Sequence, residues 1–497
     1  MARRTAQRFE FDALGIDPVA SEPLYRQLET QLRDAIRDGR LKPGERLPST
    51  RGLSTALDVA RNTVSAAYEQ LSVEGYLESE IGSGTRVSRR LPDQLLQVPR
   101  TRHSPQTKTG LPGLSKRGRR IAEYGAWITA ANDGPPRPFR PHVPALDVFP
   151  RHIWQRLSER RLRRLPRDLL SRVDSLGFRP LREAIAEYLG IVRGVRCTAD
   201  QVAVTAGAQQ GIDLLSRLLL DQGSNVWVEE PGYTPASQVF ELAGAEIVPV
   251  PVDEEGLSVA AGTRIRPDAQ LAYVTPSSHW PLGITMSLPR RMELLDWARR
   301  HHSWIIEDDY NGEYRYHGRP LPALQGLDES GSVIYMGTFS KVLFPSLRLG
   351  YLVVPERLIE GIAAARWLAD RHSPPFEQAV LTDFIEGGHF ARHVRQMRTL
   401  YASRKAALMD AIAANFGSAV NIAPRETGMH VVADGTDALP QETLVAAAIR
   451  AGLDFHLVAD YSAGAHPRPS GMILGFSAYS EDRIQSAVRA WAANGSW

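Results

Sequence analysis

Cysteine is nearly missing from this chain: Cys197 stands alone among 497 residues. An intramolecular disulfide is therefore excluded, and the composition fits a reducing compartment. No run of 18 apolar residues occurs, so there is no candidate for a membrane-spanning helix. The basic start, Met1-Ala2-Arg3-Arg4-Thr5, has no apolar stretch after it and does not read as a signal peptide. No metal site is assigned. A surplus of one charge is also lacking overall, since the net charge is only +3, but that charge is unevenly spread. What is present is length enough for two or three domains and a 43% apolar share, enough for sizeable cores.

The first ninety residues read as three helices and a hairpin. Leu24, Leu28, Leu32 and Ile36 recur every fourth position, which predicts an amphipathic helix within residues 20–40, capped by Ser21, with Pro23 near its first turn and Gly39 at its end. A turn-rich connector, Lys42 to Ser49, leads to a short second helix over 50–57. A third, over 60–74, carries Val64, Ala67 and Leu71 inward, and residues 76–88 read as a hairpin. The stretch GERLPSTRGLSTALDVARNTVSAAYEQLSVEGYLESEIGSGTRV resembles the winged helix-turn-helix of the GntR family. In such a module the first turn of the recognition helix meets base edges. Here that turn is Arg61, Asn62 and Thr63, and arginine reads guanine while asparagine reads adenine. The resemblance adds Arg51 and the wing around Gly82 and Gly84 as DNA contacts. Ser65 departs from it, at a position where relatives often carry arginine.

From about Arg89 to Arg120 the apolar periodicity fails. The segment is rich in Pro, Gly, Thr and Ser and holds nine basic residues against one acid, Asp93, a net +8. By composition it is a flexible linker. Its charge either adds non-specific affinity for phosphate or only keeps the tether solvated, and both readings stand. The expected division is a DNA-binding domain over 18–88, a basic flexible linker over 89–136 and a large domain over 137–497.

Beyond the linker, short apolar strands at 202–205, 225–229, 246–250, 271–275, 303–308 and 333–336 alternate with helical stretches. This predicts an α/β domain with a mostly parallel sheet, whose ligands sit beyond the C-terminal strand ends. At those ends stand Glu307-Asp308-Asp309-Tyr310 and Gly337-Thr338-Phe339-Ser340-Lys341, with Arg348 seven residues on. An acid and a tyrosine after one strand and a lysine after the next suit a pyridoxal phosphate site. Ala206-Gly207-Ala208-Gln209 opens a helix after the 202–205 strand, which suits a phosphate at free N–H groups. From about residue 140 onward the chain resembles the fold-type I aminotransferases. The resemblance implies that Lys341 anchors the cofactor aldehyde and Asp308 pairs with its ring nitrogen. Tyr310 would bond the ring's phenolic oxygen, and Tyr233 would stack on the ring. The Ala208 backbone, Gln209, Thr338, Ser340 and Arg348 would hold the phosphate.

Two positions depart from the enzymes. Trp280 stands where an asparagine bonds the ring oxygen, and Ile473 where an arginine clamps a substrate carboxylate; Arg468 is a candidate substitute. Both departures argue against efficient turnover, and the missing guanidinium fork leaves a ligand that is either bound differently or not a standard α-amino acid. A GntR-like module joined by a long linker to an aminotransferase-like domain resembles the MocR/GabR regulators. That resemblance implies a cytoplasmic transcription factor that binds operator DNA as a domain-swapped homodimer. Its signal would be a small amino compound, or pyridoxal 5'-phosphate itself. The alternative is a competent aminotransferase that carries a DNA-binding domain.

Overall fold

The computed structural model of the chain describes residues 11, 14–18, 20–80, 84–91, 113–131, 137–171, 174–316, 318, 321–464 and 469–495. The chain divides into two compact units, residues 1–112 and 113–497.

The first unit is three helices and a wing. Helix α1 (Leu24–Arg37) presents Leu28, Leu32 and Ile36 to the core, as its four-residue spacing requires. Pro23, not Ser21, occupies its N-cap, and no side chain caps it. Proline's fixed φ suits that entry, and the serine lies too far upstream. Helix α2 (Thr50–Ala56) is capped by the Ser49 hydroxyl, which accepts from the Gly52 amide at 3.1 Å. Helix α3 (Arg61–Val73) adds Val64, Ala67 and Leu71. Strands β1 (Leu77–Glu80) and β2 (Gly84–Val87) pair antiparallel, and the chain at Arg46 bridges to Arg86 on the other side of β2. Leu53, Tyr76, Leu77 and Val87 close the core. Each such fully buried large apolar side chain contributes about 1.5–3 kcal/mol.

The second unit begins with a difference from expectation. Within the stretch read as flexible linker, residues 116–131 form a helix, α4 (Lys116–Ala131). The Ser115 hydroxyl accepts from the Gly118 amide at 3.0 Å at its start. Its described contacts are polar: Arg120 reaches Glu241 at 3.0 Å, and the Tyr124 hydroxyl donates to the same carboxylate. Ile121, Tyr124 and Ile128 recur at i, i+3 and i+7 along it, a helical periodicity that the linker composition outweighed in the sequence. Linker residues 92–112 and 132–136 lie outside the described residues.

The main sheet has eight strands in the order β3-β10-β9-β8-β7-β4-β5-β6. They are β3 (Val202–Thr205), β4 (Asn225–Glu230), β5 (Glu246–Asp253), β6 (Gly256–Leu257), β7 (Leu271–Val274), β8 (Trp304–Asp309), β9 (Val333–Thr338) and β10 (Gly350–Val353). Strands β5, β4, β7, β8 and β9 run parallel. Strand β10 is antiparallel to both β9 and β3, and β6 is antiparallel to β5. Helices α5 (Ala208–Leu219) and α6 (Thr234–Ala243) cover one face through Ile212, Leu215 and Phe240, against Tyr273, Ile306, Ile334 and Met336. Helix α7 (Leu288–His301) covers the other through Leu294 and Trp297, against Ala272, Val274, Ile305 and Val333. The period of two along β7 and β8 thus sorts their residues to opposite faces.

A smaller antiparallel sheet, β11-β12-β14-β13, follows: β11 (Val420–Ile422), β12 (His430–Gly435), β13 (His456–Leu457) and β14 (Met472–Gly475). The segment entering the second unit bridges onto this sheet, with the Gly475 amide donating to the Phe139 carbonyl at 2.8 Å. A side chain at Gly475 would meet the Arg140 carbonyl oxygen at 2.4 Å, so only glycine permits this approach.

Candidate cofactor site and nucleic-acid interface

The C-terminal ends of β3, β4, β8 and β9 converge on a cavity of about 190 Å³. Ala208, Gln209, Tyr233, Asp308, Tyr310, Thr338, Ser340, Lys341 and Arg348 all line it. His142, Gly207, Thr275, Trp280 and Pro345 complete the wall. The nine candidate residues come from five separate stretches of sequence, and the fold brings them to one place.

The phosphate end is built at the β3–α5 turn. Gly207 has φ +101°, and a side chain there would meet the Arg348 guanidinium at 3.3 Å. Arg348 is itself left-handed at φ +50°. Free amides at the start of α5 and a guanidinium beside them form an anion cradle. Gln209 donates from its amide to the Pro235 carbonyl at 3.1 Å, and the Thr338 hydroxyl accepts from the Ser340 amide at 3.2 Å.

The other end holds buried ionisable groups. Strand alternation turns Asp308 to the face shared by Tyr273 and Ile306, while Glu307 and Asp309 turn away. The Tyr273 hydroxyl donates to Asp308 Oδ2 at 2.5 Å, and Oδ1 has no partner. Burial pushes the Asp308 carboxyl up to about 7, against the lowering by Tyr273 and Lys341. Glu307 instead accepts the Leu324 and Gln325 amides at 2.8 and 2.9 Å, and Asp309 takes Arg193 and the Tyr335 hydroxyl. Lys341 is brought down to about 8 by burial, with Asp308 opposing and Arg348 assisting. Its Nζ lies 3.4 Å from the His142 carbonyl.

Trp280 is 1% exposed, and its Nε1 has no partner. It is held through its backbone amide, which donates to the Thr275 hydroxyl at 3.1 Å; Thr275 in turn donates to Glu229 at 2.6 Å. Its ring packs on His142 at 3.9 Å, His430 at 4.8 Å and Tyr461 at 5.0 Å. Ile473 does not line the cavity; it is fully buried behind Trp280 with Val458 and Tyr461. Arg468 lies outside the described residues.

Pyridoxal phosphate fits this set. The orphaned buried atoms Asp308 Oδ1, Tyr310 Oη and Ser340 Oγ belong to cavity-lining residues and call for a ligand with a basic ring nitrogen, a ring oxygen and a phosphate. His142, which lines the cavity, and Tyr273, which bonds Asp308, were missed by the sequence reading. His142 lies in an irregular segment with no motif. Tyr273 could have been found from strand parity, since it pairs with Ile306, two before Asp308.

In the first unit, Arg61 and Asn62 are exposed at the start of α3, and Thr63 is half-buried. Arg61 Nε points at the Thr50 hydroxyl, 3.4 Å away, so the starts of α2 and α3 share one edge. Arg51 is exposed in the first turn of α2. Gly82 lies outside the described residues. Arg46, which the sequence reading passed over, is exposed, and its guanidinium lies 3.1 Å from where a side chain on Gly84 would begin.

The fold and the sheet-end cavity define a protein of the aminotransferase class joined to a winged helix. The model for aminotransferase class I and II matches residues 150–456, and that for bacterial regulatory proteins of the gntR family matches residues 24–87. The chain belongs to the MocR-type regulators, GntR-family proteins with an aminotransferase-like domain. It is 41% identical to the probable rhizopine catabolism regulatory protein MocR of Rhizobium meliloti, over 96% of this chain and 94% of that one. It is 30% identical to the pyridoxine biosynthesis transcriptional regulator PdxR of Corynebacterium glutamicum, over 95% and 96%. Among solved structures it is similar to the kynurenine aminotransferase of Pyrococcus horikoshii in complex with PMP. That likeness has a TM-score of 0.69 and 27% identity, covering 77% of this chain and 96% of that one. The cofactor of this fold is pyridoxal 5'-phosphate. No described helix is long and apolar enough to cross a membrane.

Proposed function

We propose that this chain regulates transcription by reading a small amino compound, or the cofactor itself, in the cavity around Lys341. The observation that carries the reading is that a buried lysine and a buried aspartate share one cavity with the anion cradle at Gly207 and Arg348. When bound, the cofactor supplies an aldehyde carbon that either a lysine or an incoming amine can occupy.

The chain's own residues set the stage for that competition. Arg348, Thr338, Ser340 and the amides at Ala208 and Gln209 take the phosphate. Asp308, with its free Oδ1, meets the ring nitrogen, and Tyr273 keeps that carboxylate oriented and charged. Tyr310 and Tyr233 frame the ring. Burial keeps a useful fraction of Lys341 unprotonated near neutral pH. When Lys341 is released, its Nζ has the His142 carbonyl as a waiting partner, so its state bears on the segment that enters the domain. Arg61, Asn62 and Thr63 read operator bases, with Arg51 and Arg46 on phosphates. The active species is a cytoplasmic homodimer, since a single winged helix has modest affinity and paired half-sites multiply it. To switch transcription, the ligand must favour one arrangement by a few kcal/mol.

The test is the visible spectrum of the full chain loaded with pyridoxal phosphate, together with DNA footprinting. We expect a yellow band that Lys341→Ala abolishes, and an operator footprint that an amine alters in the wild type but not in the variant. A footprint that answers normally in Lys341→Ala would sink the proposal. Multiple turnover of an amine and a keto acid would instead establish the enzyme reading.

A further inference from the structure

The reading of the cavity as an amine sensor leaves open which amines it takes, and the following inference rests on that reading. Among the described cavity-lining residues, Lys341 and Arg348 are the only lysine or arginine side chains. Lys341 is the anchor. Arg348 stands against Gly207 at the phosphate end, 3.3 Å from where a side chain there would begin. Neither is left for a second anion.

Among the described residues the far wall is neutral. His142, Trp280 and Tyr310 face the cavity, and Ile473, Val458 and Tyr461 are packed behind them. Ile473 is fully buried on β14, flanked across the strands by Val432 and His456. Hydrocarbon therefore fills the place from which a guanidinium would reach in. Burial disfavours the cationic form of the imidazoles nearby. His430 Nε2 is 2.7 Å from the Pro281 carbonyl, and His456 Nδ1 is 2.6 Å from the Tyr461 hydroxyl. Burial pushes His142 well below its ordinary value, His430 down to about 4, and His456 downward. Two arginines of the surrounding loops are committed as well, Arg140 to Asp454 and Arg425 to Glu254. A carboxylate brought into this wall would lose its water and gain no charged partner among the described residues, which disfavours the ion strongly. Uncharged polar groups face no such obstacle, and Trp280 Nε1 is buried without a partner.

We infer that the effector is a primary amine that carries no carboxylate, and that Trp280 and Ile473 select for it.

The experiment titrates the full-length holoprotein with two matched pairs, 2-phenylethylamine against L-phenylalanine and n-butylamine against 4-aminobutyrate, following the visible band. Each half-saturating concentration is divided by the one measured with free pyridoxal phosphate, which removes the intrinsic reactivity of the amine. We expect the carboxylate-free member of each pair to act at concentrations at least about tenfold lower, roughly 1.4 kcal/mol of discrimination. Ile473→Arg is expected to narrow or invert that ratio while the band remains. The wild-type ratios decide the matter where that variant does not fold. Ratios near one, or in favour of the amino acids, overturn the inference. So does a carboxylate preference that Arg468→Ala removes, or a band that answers to no amine. If no band depends on Lys341, the cofactor reading itself falls. A reversed preference on a genuine Lys341 band overturns only the ligand class.

Discussion

The amine of Lys341 lies 3.4 Å from the carbonyl oxygen of His142, a residue 199 positions earlier in the chain. His142 adopts a left-handed backbone at φ +66°, and its ring packs on Trp280. The contact exists because the entry segment bridges onto β14 at Phe139 and Gly475. It fixes the lysine in a water-poor site, and the first consequence concerns its protonation.

Burial holds Lys341 at about 8, below the usual 10.5, with Asp308 pulling it up and Arg348 pushing it down. The reactive free amine therefore accumulates as pH rises through about 8. We expect uptake of pyridoxal phosphate by the apoprotein, followed by stopped-flow absorbance, to accelerate through that pH and then level off. Asp308→Asn removes the group that raises the lysine, so its inflection should move to lower pH. In stability the sign follows: the unfolded chain binds this proton up to about 10.5 and the folded one does not, so this group's penalty fades between about 8 and 10.5. A wild-type inflection near 10.5 would contradict the buried-lysine account.

Tyr273 donates to Asp308 at 2.5 Å and lowers its pKa against the upward push of burial. Tyr273→Phe should leave the carboxyl more protonated near neutral pH and less able to meet a ring nitrogen. Hydrogen bonds to charged groups contribute about 1.5–3 kcal/mol. We expect cofactor affinity, from fluorescence titration, to fall by about tenfold or more with little change in far-UV dichroism. Unchanged affinity would show that Asp308 does not rely on this partner.

On the DNA side, residues aimed at bases and residues aimed at phosphates should behave differently. Arg61→Ala and Asn62→Ala are each expected to cost about 1–3 kcal/mol on the operator and to relax preference at one base position. Arg46→Ala should weaken all duplexes alike and reduce the slope of log affinity against log salt by about one. Fluorescence anisotropy at several salt concentrations separates the two. Sequence-selective loss in Arg46→Ala would place it in the groove instead.

The winged helix has its own core, in which Leu71 is fully buried. Leu71→Ala should destabilise this unit by about 2–5 kcal/mol. The cofactor band belongs to the other unit, so it should persist. Calorimetry should show one transition lowered while the cofactor-dependent transition keeps its place. Loss of the yellow band in this variant would reveal a dependence between the units.

Much of this protein was legible in the sequence because its signals are local. The repeat of Leu28, Leu32 and Ile36 determines an amphipathic helix within a few turns, and apolar runs such as 271–274 and 333–336 determine buried strands. The order of Asp308, Tyr310, Lys341 and Arg348 along alternating strands and helices marked the chemistry before any coordinates. Other features depended on parts of the chain far apart. Glu307, Asp308 and Asp309 are three successive acids, and only sheet packing decides that the middle one looks into the cavity while its neighbours meet Leu324, Gln325 and Arg193. Helix α4 has only a short apolar row, Ile121, Tyr124 and Ile128, set among basic residues, and the partner of Arg120, Glu241, lies more than a hundred residues on. His142 carries no motif at all and becomes part of the site because β14 captures the segment that bears it. Local periodicity is a property of neighbouring residues, which sequence displays. The meeting of distant residues is settled by which faces can be buried together, and that is decided only in the folded chain.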